Sequence, residues 1–431
     1  MPPQGTRFPG AFVPGAATMP VMSATTSAPA VSSSRQQAAA PVTIARITSI
    51  DAFRGFVMFL MLAEVMRLWT LHTAFPASRF WAIVAYNTTH VPWQGCSVHD
   101  LIQPAFSFLA GASLPFSIAS RRHKGESFAR MLGHAVWRSV ALILLGIFLR
   151  SMESPRTYWT FEDTLTQIGL GYTFLFLLAF ASLRVQVVAF TVILVGFWAA
   201  FALYPLPGPD FDYTKVGVPA NWPHLYTGFL AHFNKNSNLS WAFDVWFLNL
   251  FPRESPFRFN EGGWSTLSFV PTLATMMLGM WCGEWLKSSR SISEKLKGLV
   301  IAGVALTLAG LLLQWLHISP IVKRIWTSSY TLYSGGLTIL MLAGFYAIIE
   351  WRGWKRWSFP LLVIGANSIA IYVMSWTIEH FVASALVRHF GTAPFAMLGP
   401  PFEPVLRGIG VLIVFWLILL WMYRRKVFLR I

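Results

Sequence analysis

Apolar residues dominate this chain in runs about as long as a bilayer is thick, and short basic loops separate them. A membrane span needs about 20 mostly apolar residues. Ten runs qualify: residues 52–70, 101–120, 132–150, 164–182, 186–204, 264–286, 296–316, 328–349, 359–377 and 404–423. The connections carry a charge signal. Arg121, Arg122, Lys124 and Arg130 share one loop, Lys287, Arg290, Lys295 and Lys297 a second, and Arg352, Lys355 and Arg356 a third. Arg424, Arg425, Lys426 and Arg430 follow the final run. Cytoplasmic loops of membrane proteins collect Lys and Arg, and with ten spans all four groups fall on one side. The pattern predicts an all-α, polytopic transmembrane helix bundle of about ten spans with both termini cytoplasmic. Residues 71–100, 151–163, 205–263, 317–327 and 378–403 then lie on the opposite face. The 205–263 segment, with its Pro, Gly, Asn and aromatic residues, is too long for a bare connector and predicts an extracytoplasmic lid or binding surface. The piece from His380 to His389 predicts a short re-entrant or interfacial helix.

Composition strengthens the membrane reading. Of 431 residues, 55% are hydrophobic and only 12% charged, against about 25% charged in a soluble chain. Residues 1–45 are different, rich in Ala, Pro, Ser and Thr and without the compact apolar stretch of a secretory signal. They predict a disordered cytoplasmic tail ahead of one transmembrane domain over 46–431. A net charge of +16 raises nucleic acid as a partner, but the basic residues follow the membrane pattern, so the partner they imply is the lipid bilayer. Cys96 and Cys282 are expected at opposite faces, which argues against a disulfide, and neither falls in a metal-ligand spacing.

Polar residues inside such a chain need a reason to be there. The densest group is Asn87, His90, Trp93, Gln94, His99, Asp100 and Gln103, at the entrance to the second run. An aromatic belt collects isolated residues of this kind; seven within 17 residues point to a site. In the first run, Asp51 and Arg54 lie three apart on one helical face. They read either as a helix start with a snorkelling Arg or as a cationic anchor for a cytosolic anion. Glu64 sits near the outer end of that run, either solvated there or paired. The fourth run carries Thr164, Thr166 and Gln167, with Gly169 and Gly171 suited to close helix packing. Asn367, Ser368 and Tyr372 lie in the ninth run, where helix–helix bonding and site lining are both open readings.

Several of these pieces resemble one family. Asp51-Ala-Phe-Arg-Gly, the string from His90 through Trp93 and Asp100 to Gly111, Asn367-Ser-Ile-Ala-Ile-Tyr and Tyr423-Arg-Arg-Lys-Val-Phe look like the heparan-α-glucosaminide N-acetyltransferase family, transmembrane acyltransferases with bacterial relatives. The resemblance runs from about Arg46 to the C-terminus and skips the long loop. It implies a multi-pass protein of a cell membrane, the inner membrane in a bacterium, and a homodimer. It further implies acetyl-CoA as cytosolic donor, no metal, and a sugar amine or hydroxyl of an amino sugar or glycan as acceptor on the far side. His90 matches the active-site histidine, with Glu64 and Asp100 as its catalytic companions. A neutral imidazole can accept a proton during attack on the thioester or carry the acetyl group itself. Asp51, Arg54, Gln167, Asn367 and Ser368 are the expected donor contacts, and Asn87, Trp93, Tyr372 and His380 the expected acceptor contacts. The chain departs from the family at Glu64-Val65, where an asparagine is usual, at Thr166-Gln167, which stands for a Gln-Arg pair, and at Ser375, where some relatives have a histidine. The competing reading is a proton-coupled transporter or flippase for a sugar or lipid-linked substrate, which also needs acids and histidines among its spans.

Overall fold

Caps and breakers decide where each apolar run becomes helical. In the computed structural model, which describes residues 47–429, the chain is all-helical with one isolated bridge, Gln94 to Val322. The predicted tail over 1–45 lies outside the described residues. The helices are α1 (Thr48–Leu62), α2 (Thr70–Ala74), α3 (Arg79–Asn87), α4 (Ile102–His123), α5 (Phe128–Ser151), α6 (Thr164–Leu178), α7 (Leu183–Leu203) and α8 (Leu239–Phe247). After them come α9 (Phe269–Lys287), α10 (Ile292–Trp315), α11 (Ser328–Tyr346), α12 (Phe359–Ala366), α13 (Ser368–Thr377), α14 (Glu379–Phe390) and α15 (Glu403–Arg424). Ser127, Asp163 and Ser182 cap α5, α6 and α7 by accepting from backbone N–H groups, and Ser291 with Glu294 forms a capping box on α10.

All ten apolar runs are helical over most of their length, and the helices differ in length. Among the described residues, seven helices are long and apolar enough to cross a membrane, and α12 with α13, bent by 66° at Asn367, makes an eighth if the pair is one span. Helices α1 and α6 have 15 residues each, a rise of about 22 Å against a hydrocarbon core of about 30 Å. The first run ends early because a 3₁₀ turn, Ala63–Met66, leads into Arg67 at φ 49°. The segment near His380 is helical as expected, as α14.

Burial sorts the spans. Helix α9 is the central pole, 78% of its most apolar stretch being buried, whereas α7 and α10 bury only 17% of theirs and present most of those side chains outward. Helices α4 and α9 are in backbone contact at two glycines. A Cβ on Gly111 would lie 1.9 Å from the Met276 carbonyl oxygen, and one on Gly279 would lie 1.9 Å from that of Phe108. Small residues allow such approach where lipid offers no hydrophobic drive to associate. The 205–263 segment folds as a packed cap: Asn234, Asn236 and Asn238 are buried and hydrogen-bonded to its own carbonyls.

Gly279→Val has no low-cost accommodation, because the clash is with backbone. We expect at least the roughly 1–3 kcal/mol that overpacking costs, read as a lower melting temperature of the detergent-solubilised protein, whereas Gly344→Ala, at a position with nothing near its Cβ, should leave it unchanged.

Candidate active site

The loop before α4 is organised by one buried carboxylate. Asp100 is 1% exposed, and its oxygens accept from the Val91 N–H at 3.2 Å and the Ser97 N–H at 3.1 Å. The Asp100 carbonyl accepts from the Tyr330 hydroxyl on α11 at 2.7 Å. These bonds fold the loop so that His90 Nδ1 meets Asp100 Oδ1 at 2.8 Å. The Gln94–Val322 bridge, with Gly95 N–H donating to Ile321 O at 2.9 Å, then joins the loop to the 317–327 turn.

That turn delivers a residue that sequence reasoning missed. Lys323 is 2% exposed, with Nζ 3.3 Å from Asp100 Oδ1 and 3.2 Å from His90 Nδ1. An ionised carboxylate only accepts, so the shorter contact, to Asp100, calls for the proton on Nδ1 and the lone pair on Nε2; Lys323 Nζ, itself only a donor, then stands beside Nδ1 as a charge and not as its hydrogen-bond partner. Burial is the main cause that lowers the His90 pKa from 6.5, and the Lys323 charge adds to it, while the bond to Asp100 works the other way. The result is a neutral imidazole near pH 7 whose orientation is fixed from the Nδ1 side. Lys323 itself is lowered by burial, with Asp100 opposing. Trp264 closes the arrangement, its ring 5.4 Å from that of His90 and beneath both Lys323 and Arg324. Arg324 donates to Gly262 O and Val91 O, tying the long loop to the His90 loop.

His90 keeps 37% of its side-chain exposure, turned into a cavity of about 830 Å³. Glu64, His99, Tyr158, Glu162, Tyr372 and Glu379 share its wall. The far side is held by Asp163, which accepts from Tyr372 at 2.8 Å and lies 3.5 Å from Arg150. A second cavity, about 620 Å³, lies toward the other end of α4 and is lined by Arg54, Arg121, Lys124 and Arg138 with Glu126 the one acid. Arg54 is held by Asp51 at 3.1 Å and by the Ser113 hydroxyl. Net positive charge in a cavity at the basic-loop end suits an anionic ligand.

No family model matches the chain. The chain is similar to heparan-alpha-glucosaminide N-acetyltransferase. The Homo sapiens protein is 33% identical over 104 residues, 24% of this chain and 14% of that protein. The Mus musculus protein is 22% identical over 378 residues, 78% of this chain and 54% of that protein. The chain thus spans about half the length of the mouse relative at most, and the similarity supports a related family.

The residues expected from sequence fall into three groups. His90, Glu64 and Tyr372 line the outer cavity, with Asp100 directly behind His90. Glu64 faces His99 Nε2 at 4.0 Å, so the acid that orients His90 is Asp100. Arg54 and Ser368 line the inner cavity, and Asp51 supports Arg54. The remainder serve as pins. Gln167 is fully buried and donates to Phe161 O, Ser265 O and Thr266 O. Asn367, also fully buried, donates to Val427 O and accepts from Leu429 N–H. Trp93 is enclosed, with Nε1 donating to Phe233 O, and Asn87 spans Ile83 O and Val98 N–H. These four touch neither cavity. His380 is exposed and its neighbour Glu379 takes the place on the cavity wall.

The pKa directions carry a pH prediction. Below pH 6.5 the unfolded chain binds a proton that native His90 refuses, so the stability linked to His90 is complete above that pH and is lost as pH falls. Lys323→Met removes one cause of the depression. Histidine NMR titration should show the His90 midpoint rise in that variant, and the acid side of the melting-temperature profile should move less with pH.

Proposed function

We propose that this protein is a membrane-embedded acetyltransferase that moves an acetyl group from cytosolic acetyl-CoA to a sugar amine or hydroxyl on the opposite side. The observation that carries the reading is an Asp-oriented histidine on a cavity wall, adjoining a second cavity toward the other end of α4 that is lined with cations. The inner cavity receives the phosphates of the donor, where Arg54 and Arg138 supply charge-assisted bonds. The outer cavity receives the acceptor. His90 Nε2 takes the acceptor's proton as its nitrogen or oxygen attacks the thioester carbonyl; the new C–N or C–O bond forms, the C–S bond breaks, and the CoA thiolate leaves and is protonated. Lys323 and Asp100 offset each other's charge, which keeps the imidazole neutral before attack and gives the resulting imidazolium less support than a lone carboxylate would. Similarity to the mouse N-acetyltransferase over most of the chain supports the same class.

Purified protein with radiolabelled acetyl-CoA and a panel of amino sugars and glycans tests the reading. His90→Ala should lower label transfer by about 10²–10⁴-fold. It should leave donor binding intact, seen as thermal stabilisation of up to about 2.7 kcal/mol at a hundredfold excess of CoA over its Kd. Arg54→Gln should reduce that stabilisation instead. Movement of an unmodified sugar across sealed vesicles, with no covalent label, would favour the carrier reading and overturn this one.

A further inference from the structure

The outer and inner cavities have one lining residue in common, Phe106. Its place on α4 explains this. Gln103, Phe106, Ala110, Ser113, Ser117 and Ser120 recur at spacings of three and four, so one face of the helix runs along both cavities. Gln103 belongs to the outer cavity, and the residues from Ala110 onward belong to the inner one. Beside it Ile102 lines the outer cavity and Leu109 the inner one, but Phe106 alone reaches both. The bulky apolar side chain stands where the two cavities meet.

The ring is also held. Phe106 packs against both of the large buried clusters, the one built from α1, α5, α6, α9 and α15 and the one built from α1, α9 and α11, yet it remains only half-buried. A side chain gripped by two cores, with a free edge toward two voids, is a partition with a defined resting position.

We propose that Phe106 is the septum between the two cavities: its ring closes the passage at rest and swings aside only for a narrow chain threaded along the α4 face. The names donor side and acceptor side rest on the acetyltransferase reading, but the partition does not. In that reading the septum keeps water of the outer cavity from the thioester until the donor arm has entered. Such water would otherwise break the C–S bond to give acetate and the free CoA thiol.

Side-selective labelling tests the septum without acetyl-CoA. Cys96 and Cys282 are replaced by alanine, and Gln103→Cys or Ser117→Cys is introduced singly in sealed vesicles of known orientation. With Phe106 present, a membrane-impermeant maleimide should label Gln103→Cys from one face and Ser117→Cys from the other. Adding Phe106→Ala, which leaves a void in place of the ring, should let the reagent reach Ser117→Cys from the Gln103 face at a rate raised roughly tenfold or more, while Phe106→Trp should stay sealed. Equal labelling of Ser117→Cys from both faces with Phe106 intact overturns the proposal. So does an unchanged far-face rate in Phe106→Ala or the milder Phe106→Leu whose near-face rate is normal. In the same preparations Phe106→Ala should raise acetate release from acetyl-CoA without acceptor. A septum confirmed by labelling in a protein that handles no acetyl-CoA would retain the partition and discard the acetyltransferase reading.

Discussion

The contact on which the rest depends is the buried Asp100 carboxylate. A carboxylate that is 1% exposed must be surrounded by donors, and here the donors come from two separate parts of the chain: its own loop, His90 included, and Lys323 on a turn more than two hundred residues later. Satisfying one charge therefore brings together the loop before α4 and the turn before α11. The side chain left facing outward by that convergence is His90. Removing Asp100 would strand the Lys323 charge in the interior, so the orientation of His90 and the folding of the loop are the same interaction and cannot be lost separately.

From that point α4 organises the molecule. The 3₁₀ turn that leads into it, His99–Leu101, carries His99 beside His90, its middle abuts α9 through Gly111, and its last turn brings Arg121 to the inner cavity. From Gln103 to Lys124 the helix rises roughly 30 Å, about the thickness of the hydrocarbon core. The two cavities are thus two ends of one helix face. The short α1 and α6, and the bent α12–α13 pair, stand around that face and supply the facing walls of the cavities.

Much of this was legible in the chain. Periodic apolar runs located every long helix, because burial in lipid forces nearly continuous hydrophobicity. The density of polar residues from Asn87 to Gln103 marked His90 and Asp100. Lys323 was not marked, since a lysine in a turn usually means a solvated one. A signal did exist: Lys323 and Arg324 break the rule that basic residues gather on the other side, and such an exception needs a local anion. Gln167, Asn367 and Trp93 show the opposite ambiguity. An amide or indole deep in a membrane protein must be satisfied, and the chain does not say whether a ligand or a carbonyl will do it. In these three positions carbonyls do.

The Asn367 contacts have a consequence for how the protein is made. The inner cavity takes part of its wall from Tyr423, Phe428 and Leu429, and that segment is fastened by the amide at the break between α12 and α13. Tyr423 lies in the last turn of α15, and Phe428 and Leu429 follow it. Every residue lining the outer cavity lies at or before Glu379, so a nascent chain holds the whole outer wall before it holds the whole inner one.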